Sequence, residues 1–146
     1  MSESERQIRD LMLRYAELQD AADWDAIAEL FADADFEATS GVSWRGQEIA
    51  DRRRVNVVTY DDGTPRTKHL TTNLEIEVDE EHGTATAHSY YTILQATDDL
   101  PLQPIGAGRY VDRFQRVDGE WRFAHRRSHL DLRGHFTEFR LTESSS

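Results

Sequence analysis

The chain has 146 residues, 38% of them hydrophobic, and a formal net charge of −11, which suits a single domain with one core. The negative balance argues against docking on a nucleic-acid backbone or an anionic lipid surface, because both demand clustered positive charge. The absence of cysteine removes disulfides, thiolate metal sites and cysteine nucleophiles, and fits a cytoplasmic protein.

The first residues, Met1-Ser2-Glu3-Ser4-Glu5-Arg6, are acidic and polar and do not read as a secretory signal. No apolar run is long enough to span a bilayer. Ile8, Leu11, Met12, Tyr15 and Leu18 or Gln19 recur at three- and four-residue spacing, predicting an amphipathic helix over about residues 4–21. Asp23 reads as the N-cap of a second, short helix whose apolar face is Trp24, Ile27, Ala28, Leu30 and Phe31. A short strand around Phe36 and a turn at Gly41 follow. Gly46 then leads into a third helix ending near Tyr60, stopped by Asp61-Asp62-Gly63-Thr64-Pro65.

The second half changes character. Residues 67–78 read as a strand, with Leu74, Ile76 and Val78 alternating. Residues 79–83 form a hairpin loop, and a second strand covers 85–94. After a loop containing Pro101 and Pro104, strands at 109–117 and 120–130 flank a tight turn at Asp118-Gly119. Helices followed by an antiparallel meander predict an α+β fold in which helices cover one face of a curved sheet and leave a cavity between. One domain over residues 1–141 is expected, with a polar, disordered tail at 142–146.

Several residues stand out chemically. Tyr15 precedes Asp20 by five positions, about 1.4 helical turns, so the two lie on neighbouring stripes near the helix end. Asp20 is either a pocket carboxylate or one of four solvated acids between positions 17 and 25. His69, at a strand start, is either a satisfied structural residue or a general base, for which an imidazole oriented by a carboxylate is well suited. Strict alternation puts His69 with Thr71 and Asn73, opposite Leu74, Ile76 and Val78. Either a bulge switches the cavity face or the two sets serve different layers. Arg126 sits between His125 and Arg127, and alternation aligns it with Ala124 and Ser128, away from Trp121 and Phe123. It is a pocket cation or a surface ion-pair partner. Lys68, the lone lysine, is the only residue that Schiff-base chemistry could use, and that chemistry needs a depressed pKa. His125 and His129 share a strand face without metal-ligand spacing, and Gly106-x-Gly108 lacks the helix that a phosphate loop needs. No metal or cofactor is expected.

The run Tyr15…Asp20-Ala21-Ala22-Asp23-Trp24-Asp25, then His69-Leu70-Thr71-Thr72-Asn73, Tyr110-Val111-Asp112 and Asp118-Gly119-Glu120-Trp121-Arg122-Phe123, resembles the SnoaL-like branch of the NTF2-like superfamily over roughly residues 4–135. The resemblance implies a cone-shaped pocket and a homo-oligomer, dimer or trimer, packed through the sheet's outer face. Scytalone dehydratase, the lindane dehydrochlorinase and the bile acid 7α-dehydratase are similar, and all carry out eliminations with an Asp–His pair. The scytalone dehydratase segment implies Asp20, and the dehydrochlorinase segments imply His69 and Arg126. The bile acid enzyme implies Tyr15. The dehydrochlorinase has a lysine where Tyr15 stands, and the second histidine of scytalone dehydratase has no match here, since His88 falls out of register.

The resulting expectation is a cofactor-independent lyase of the dehydratase type. Its substrate would be a small, mostly apolar cyclic molecule such as a polyketide, steroid or aromatic precursor. His69 is the base, Asp20 orients it, and Tyr15 and Arg126 hold or polarise a substrate oxygen. Trp24, Trp44, Asn73, Tyr90 and Tyr110 line the site. The rival expectations are a polyketide cyclase or ketosteroid-type isomerase using the same pair, and a non-catalytic ligand-binding or assembly module.

Overall fold

Helix α1, Glu3–Ala21, starts where the Ser2 side chain accepts a hydrogen bond from the Glu5 amide at 3.1 Å. Glu3 and Glu5 place negative charge on its positive end. It stops where Ala22 turns left-handed (φ 54°), letting the Ala22 and Asp23 amides bond back to Gln19 and Leu18. Asp23 then caps α2, Trp24–Leu30, accepting from the Ala26 amide at 3.2 Å. Two three-residue strands follow, β1 (Asp35–Glu37) and β2 (Ser43–Arg45), and then α3, Gln47–Asn56.

Four long strands complete the order: β3 Thr67–Asp79, β4 Thr84–Gln95, β5 Gln103–Val117 and β6 Glu120–Arg133. The structure, a computed structural model, describes residues 1–141; the tail expected to be disordered lies outside them. The six strands form one sheet in the order β2-β1-β6-β5-β4-β3, antiparallel except where β1 runs parallel to β6. The buried faces of α1 and α2 close over its concave side, with Ile8, Met12, Tyr15, Ile27 and Phe31 packed against Phe36, Phe114 and Phe123. No helix is long and apolar enough to cross a membrane among the described residues.

The structure departs from the sequence reading in several places. Helix α3 ends at Asn56 rather than near Tyr60, because Val57 pairs with Arg140 and the Val58 amide bonds to the Phe139 carbonyl at 2.9 Å. Strand β5 begins at Gln103, six residues before the predicted start, since Pro104 occupies a position beside a bulge in the β4–β5 ladder. Strand β2 was not anticipated: only three residues long, it gains its order from pairing with β1.

Candidate active site

Asp20 lies in the last turn of α1, where a carboxylate faces the negative end of the helix dipole. Strand β3, the sheet edge packed beside α1, supplies compensation. One Asp20 oxygen takes the His69 backbone amide at 2.8 Å. The other is 2.6 Å from His69 Nδ1 and accepts the Thr67 hydroxyl at 2.9 Å. A carboxylate only accepts, so this arrangement assigns the neutral imidazole proton to Nδ1 and leaves Nε2 with its lone pair. Nε2 makes no hydrogen bond among the described residues. The imidazole is 3% exposed and meets the Phe139 ring edge-on at 5.8 Å. A groove of about 640 Å³ between α1 and β3, bordered by Leu13, Ala16, Lys68 and Leu70, reaches both dyad residues.

Bulges determine which side chains face the interior of the fold. The β3–β4 register breaks between Thr72 and Glu75, with Asn73 in the left-handed region (φ 54°). Thr67 and His69 therefore face inward before the break, while Leu74, Ile76 and Val78 pack against the core after it. A second bulge falls at Ala124, because Arg113 pairs with His125 and Phe114 with Phe123. Beyond it Arg126 shares the buried face with Trp121, Phe123 and Ser128. His125 and Arg127 turn to the other face, where both bond Glu37.

Arg126 is wholly buried and forms a two-pronged ion pair with Asp112, at 2.8 and 2.9 Å. Burial opposes both charges. For Asp112 burial dominates and raises the carboxyl pKa against the pull of Arg126. For Arg126 burial is outweighed by the adjacent carboxylate and its hydrogen bonds, and its pKa rises. The guanidinium lies 3.7 Å over the Tyr110 ring and 4.7 Å over Tyr15, and its Nη1 has no hydrogen-bond partner. Tyr110 stacks on Tyr91 at 4.4 Å, and burial holds the Tyr110 hydroxyl well above its ordinary pKa. Tyr91, pushed up to about 12 chiefly by burial, sits 3.1 Å from the Ser128 hydroxyl.

Tyr15, 1% exposed, receives a hydrogen bond from Arg53 at 3.1 Å. The structure thus brings Asp20 and His69 into contact, and joins Tyr15, Tyr110 and Arg126 in one aromatic–arginine cluster. Trp24 is a core residue at the start of α2, and Trp44 is half-buried on β2 with Arg52 over its ring at 5.5 Å. Asn73 and Tyr90 face outward with His88 and Arg109, Tyr90 being 56% exposed. Lys68 points to solvent. Sequence reasoning missed Thr67, Asp112, Arg53 and Arg140. Thr67 had a signal, since it shares strand parity with His69. Arg53 had none, hidden in the run Arg52-Arg53-Arg54. No group of three or more potential metal ligands is assembled among the described residues.

The chain and its fold have counterparts among known proteins. The SnoaL-like domain profile matches residues 1–127. The chain belongs to the SnoaL-like family. A variant of Rv3472, a function-unknown protein from Mycobacterium tuberculosis, shares 33% identity with this SnoaL-like chain, covering 88% of it and 72% of the relative, with a TM-score of 0.71. An NTF2-like protein with a cystatin-like fold from Novosphingobium aromaticivorans is 21% identical over 88% of this chain and 82% of its own (TM-score 0.71). A candidate scytalone dehydratase from that organism is 21% identical over 88% and 85% (TM-score 0.68). These last two likenesses establish the NTF2-like fold. No curated protein sequence matches the chain.

Proposed function

We propose that this SnoaL-like protein is a cofactor-independent lyase that eliminates water from a small cyclic substrate. The observation that carries the reading is the triple anchoring of the Asp20 carboxylate by His69 N, His69 Nδ1 and Thr67 Oγ1. It fixes the imidazole in the tautomer that a general base requires.

His69 Nε2 takes the proton from a carbon beside a carbonyl, and the C–H electron pair moves toward the carbonyl oxygen as an enolate. Asp20 stabilises the imidazolium that results. As the enolate collapses, the bond to the β-hydroxyl breaks, and the departing oxygen recovers the proton and leaves as water. Tyr15 and Arg126 Nη1 hold the enolate oxygen, an interaction that strengthens as charge develops. The same pair serves an isomerase or cyclase if no leaving group is present. The likeness to a candidate scytalone dehydratase supports elimination. A neighbour described as the β subunit of a candidate aromatic-ring-hydroxylating dioxygenase, 20% identical, supports a non-catalytic assembly role.

Mass spectrometry of products from a panel of cyclic β-hydroxy ketones and acids separates these readings. Elimination yields a product lighter by one water, and isomerisation leaves the mass unchanged. No turnover across the panel, together with stable capture by a hydroxylase-type α subunit, would favour assembly.

A further inference from the structure

Among the described residues, one buried arginine has no ion-pair partner. Arg140 is 4% exposed, yet its Nε and Nη1 have no hydrogen-bond partner, and its guanidinium makes no ion pair among the described residues. It lies over the Phe139 ring, 4.6 Å away. Backbone pairing of Arg140 with Val57 sets it against the last turn of α3, one turn beyond the equally buried Arg53. Arg53 donates to Tyr15, and Tyr15 leads through Tyr110 to Tyr91.

Burial, and next the nearby positive charge of Arg53, depress the Arg140 pKa well below its usual value, while Tyr15, Tyr110 and Tyr91 oppose them. A guanidinium largely buried, with Nε and Nη1 lacking an acceptor, is costly unless something supplies one. Phe139 also meets the His69 imidazole at 5.8 Å, so the dyad and Arg140 both contact a single phenyl ring.

We infer that Arg140, backed by Arg53, is an anion subsite that receives a carboxylate on the cyclic substrate whose proton His69 removes. The substrate assignment rests on the lyase reading; the anion site itself does not. A planar carboxylate matches the fork of guanidinium donors in two-point contact and restores the missing acceptor. The negative exterior weakens long-range attraction of such a substrate. Screening confines that effect to about 8 Å at physiological salt, whereas a buried contact is little screened.

The test uses the intact chain and benzoate, cyclohexanecarboxylate and 2-naphthoate, each against its amide at matched ionic strength. Saturable thermal stabilisation by at least one acid, absent with its amide, is expected. Arg140→Met should raise the unliganded Tm, because an unpartnered buried charge is gone, and should abolish the response to the acid. Arg140→Lys should weaken binding about tenfold or more, since an ammonium cannot reproduce the planar fork. His69→Ala should retain acid binding, so loss of turnover there leaves the anion site standing. Equal responses to acid and amide, a response only to inorganic phosphate, or an Arg140→Met variant that still binds the acid would overturn the inference. Calorimetry of the unsubstituted protein with acid and amide decides the matter if Arg140→Met fails to fold.

Discussion

Replacing Asp20 with asparagine tests the dyad without changing its shape. The carboxylate faces three donors, His69 N, His69 Nδ1 and the Thr67 hydroxyl, at 2.8, 2.6 and 2.9 Å. An amide offers one accepting oxygen and a donating nitrogen. If the oxygen stays with the backbone amide, the nitrogen points at Nδ1 and drives the imidazole proton to Nε2. If it turns toward Nδ1, two N–H groups oppose each other. Hydrogen bonds to a charged group contribute about 1.5–3 kcal/mol each. Removing a carboxylate from a helix C-terminus returns about 0.3–1 kcal/mol. The expected net loss is about 2 kcal/mol, a Tm decrease of roughly 5–8 °C for a domain of this size. Wrong-tautomer substitutions in Asp–His couples cost about 10⁴ in rate. Long-range ¹H–¹⁵N correlation spectra report the tautomer directly, without a substrate. His69 should show a bare Nε2 in the unsubstituted protein and a protonated Nε2 in Asp20→Asn. A bare Nε2 in both proteins, or in neither, refutes the reasoning.

Asp112→Asn, which strands Arg126 in the interior, should cost about 3–5 kcal/mol in urea denaturation, and the double change Arg126→Met with Asp112→Leu far less. Gly108→Ala would place a Cβ 2.0 Å from the His129 carbonyl oxygen and 2.8 Å from the Tyr91 ring. Forcing β5 from β6 should cost about 3 kcal/mol or more, and a near-neutral Tm would contradict that packing. His129 has a lowered pKa through burial, then Arg109 and Arg127, so the folded chain takes up its proton less readily than the unfolded chain. Stability from this residue is therefore present above the unfolded pKa and falls as pH drops through the folded one. Between about pH 7.5 and pH 5.5, His129→Asn should lose less Tm than the unsubstituted protein.

Helix α1, the Asp23 cap and the β3–β6 meander were legible because their signals are local: three- and four-residue apolar spacing, a capping side chain, Gly-containing turns. The facing of His69 and Arg126 was not, since each depends on one inserted residue. Asn73 marks its bulge only weakly, as a residue that tolerates a left-handed backbone. Ala124 marks its own not at all. Arg140 was invisible for another reason. Its burial follows from pairing with Val57, more than eighty positions earlier, and a surface arginine in an acidic chain reads the same way. Trp24 and Tyr110 are buried, as large apolar side chains commonly are. Tyr90, one residue out of phase with Tyr91, reaches the opposite face.

The measurement that bears most directly on the Asp20–His69 base is single-turnover kinetics of His69→Ala beside the unsubstituted protein, on whichever panel member loses water. The account predicts that binding persists in the variant while formation of the dehydrated product falls by several orders of magnitude. Turnover at the unsubstituted rate with His69 absent would contradict it.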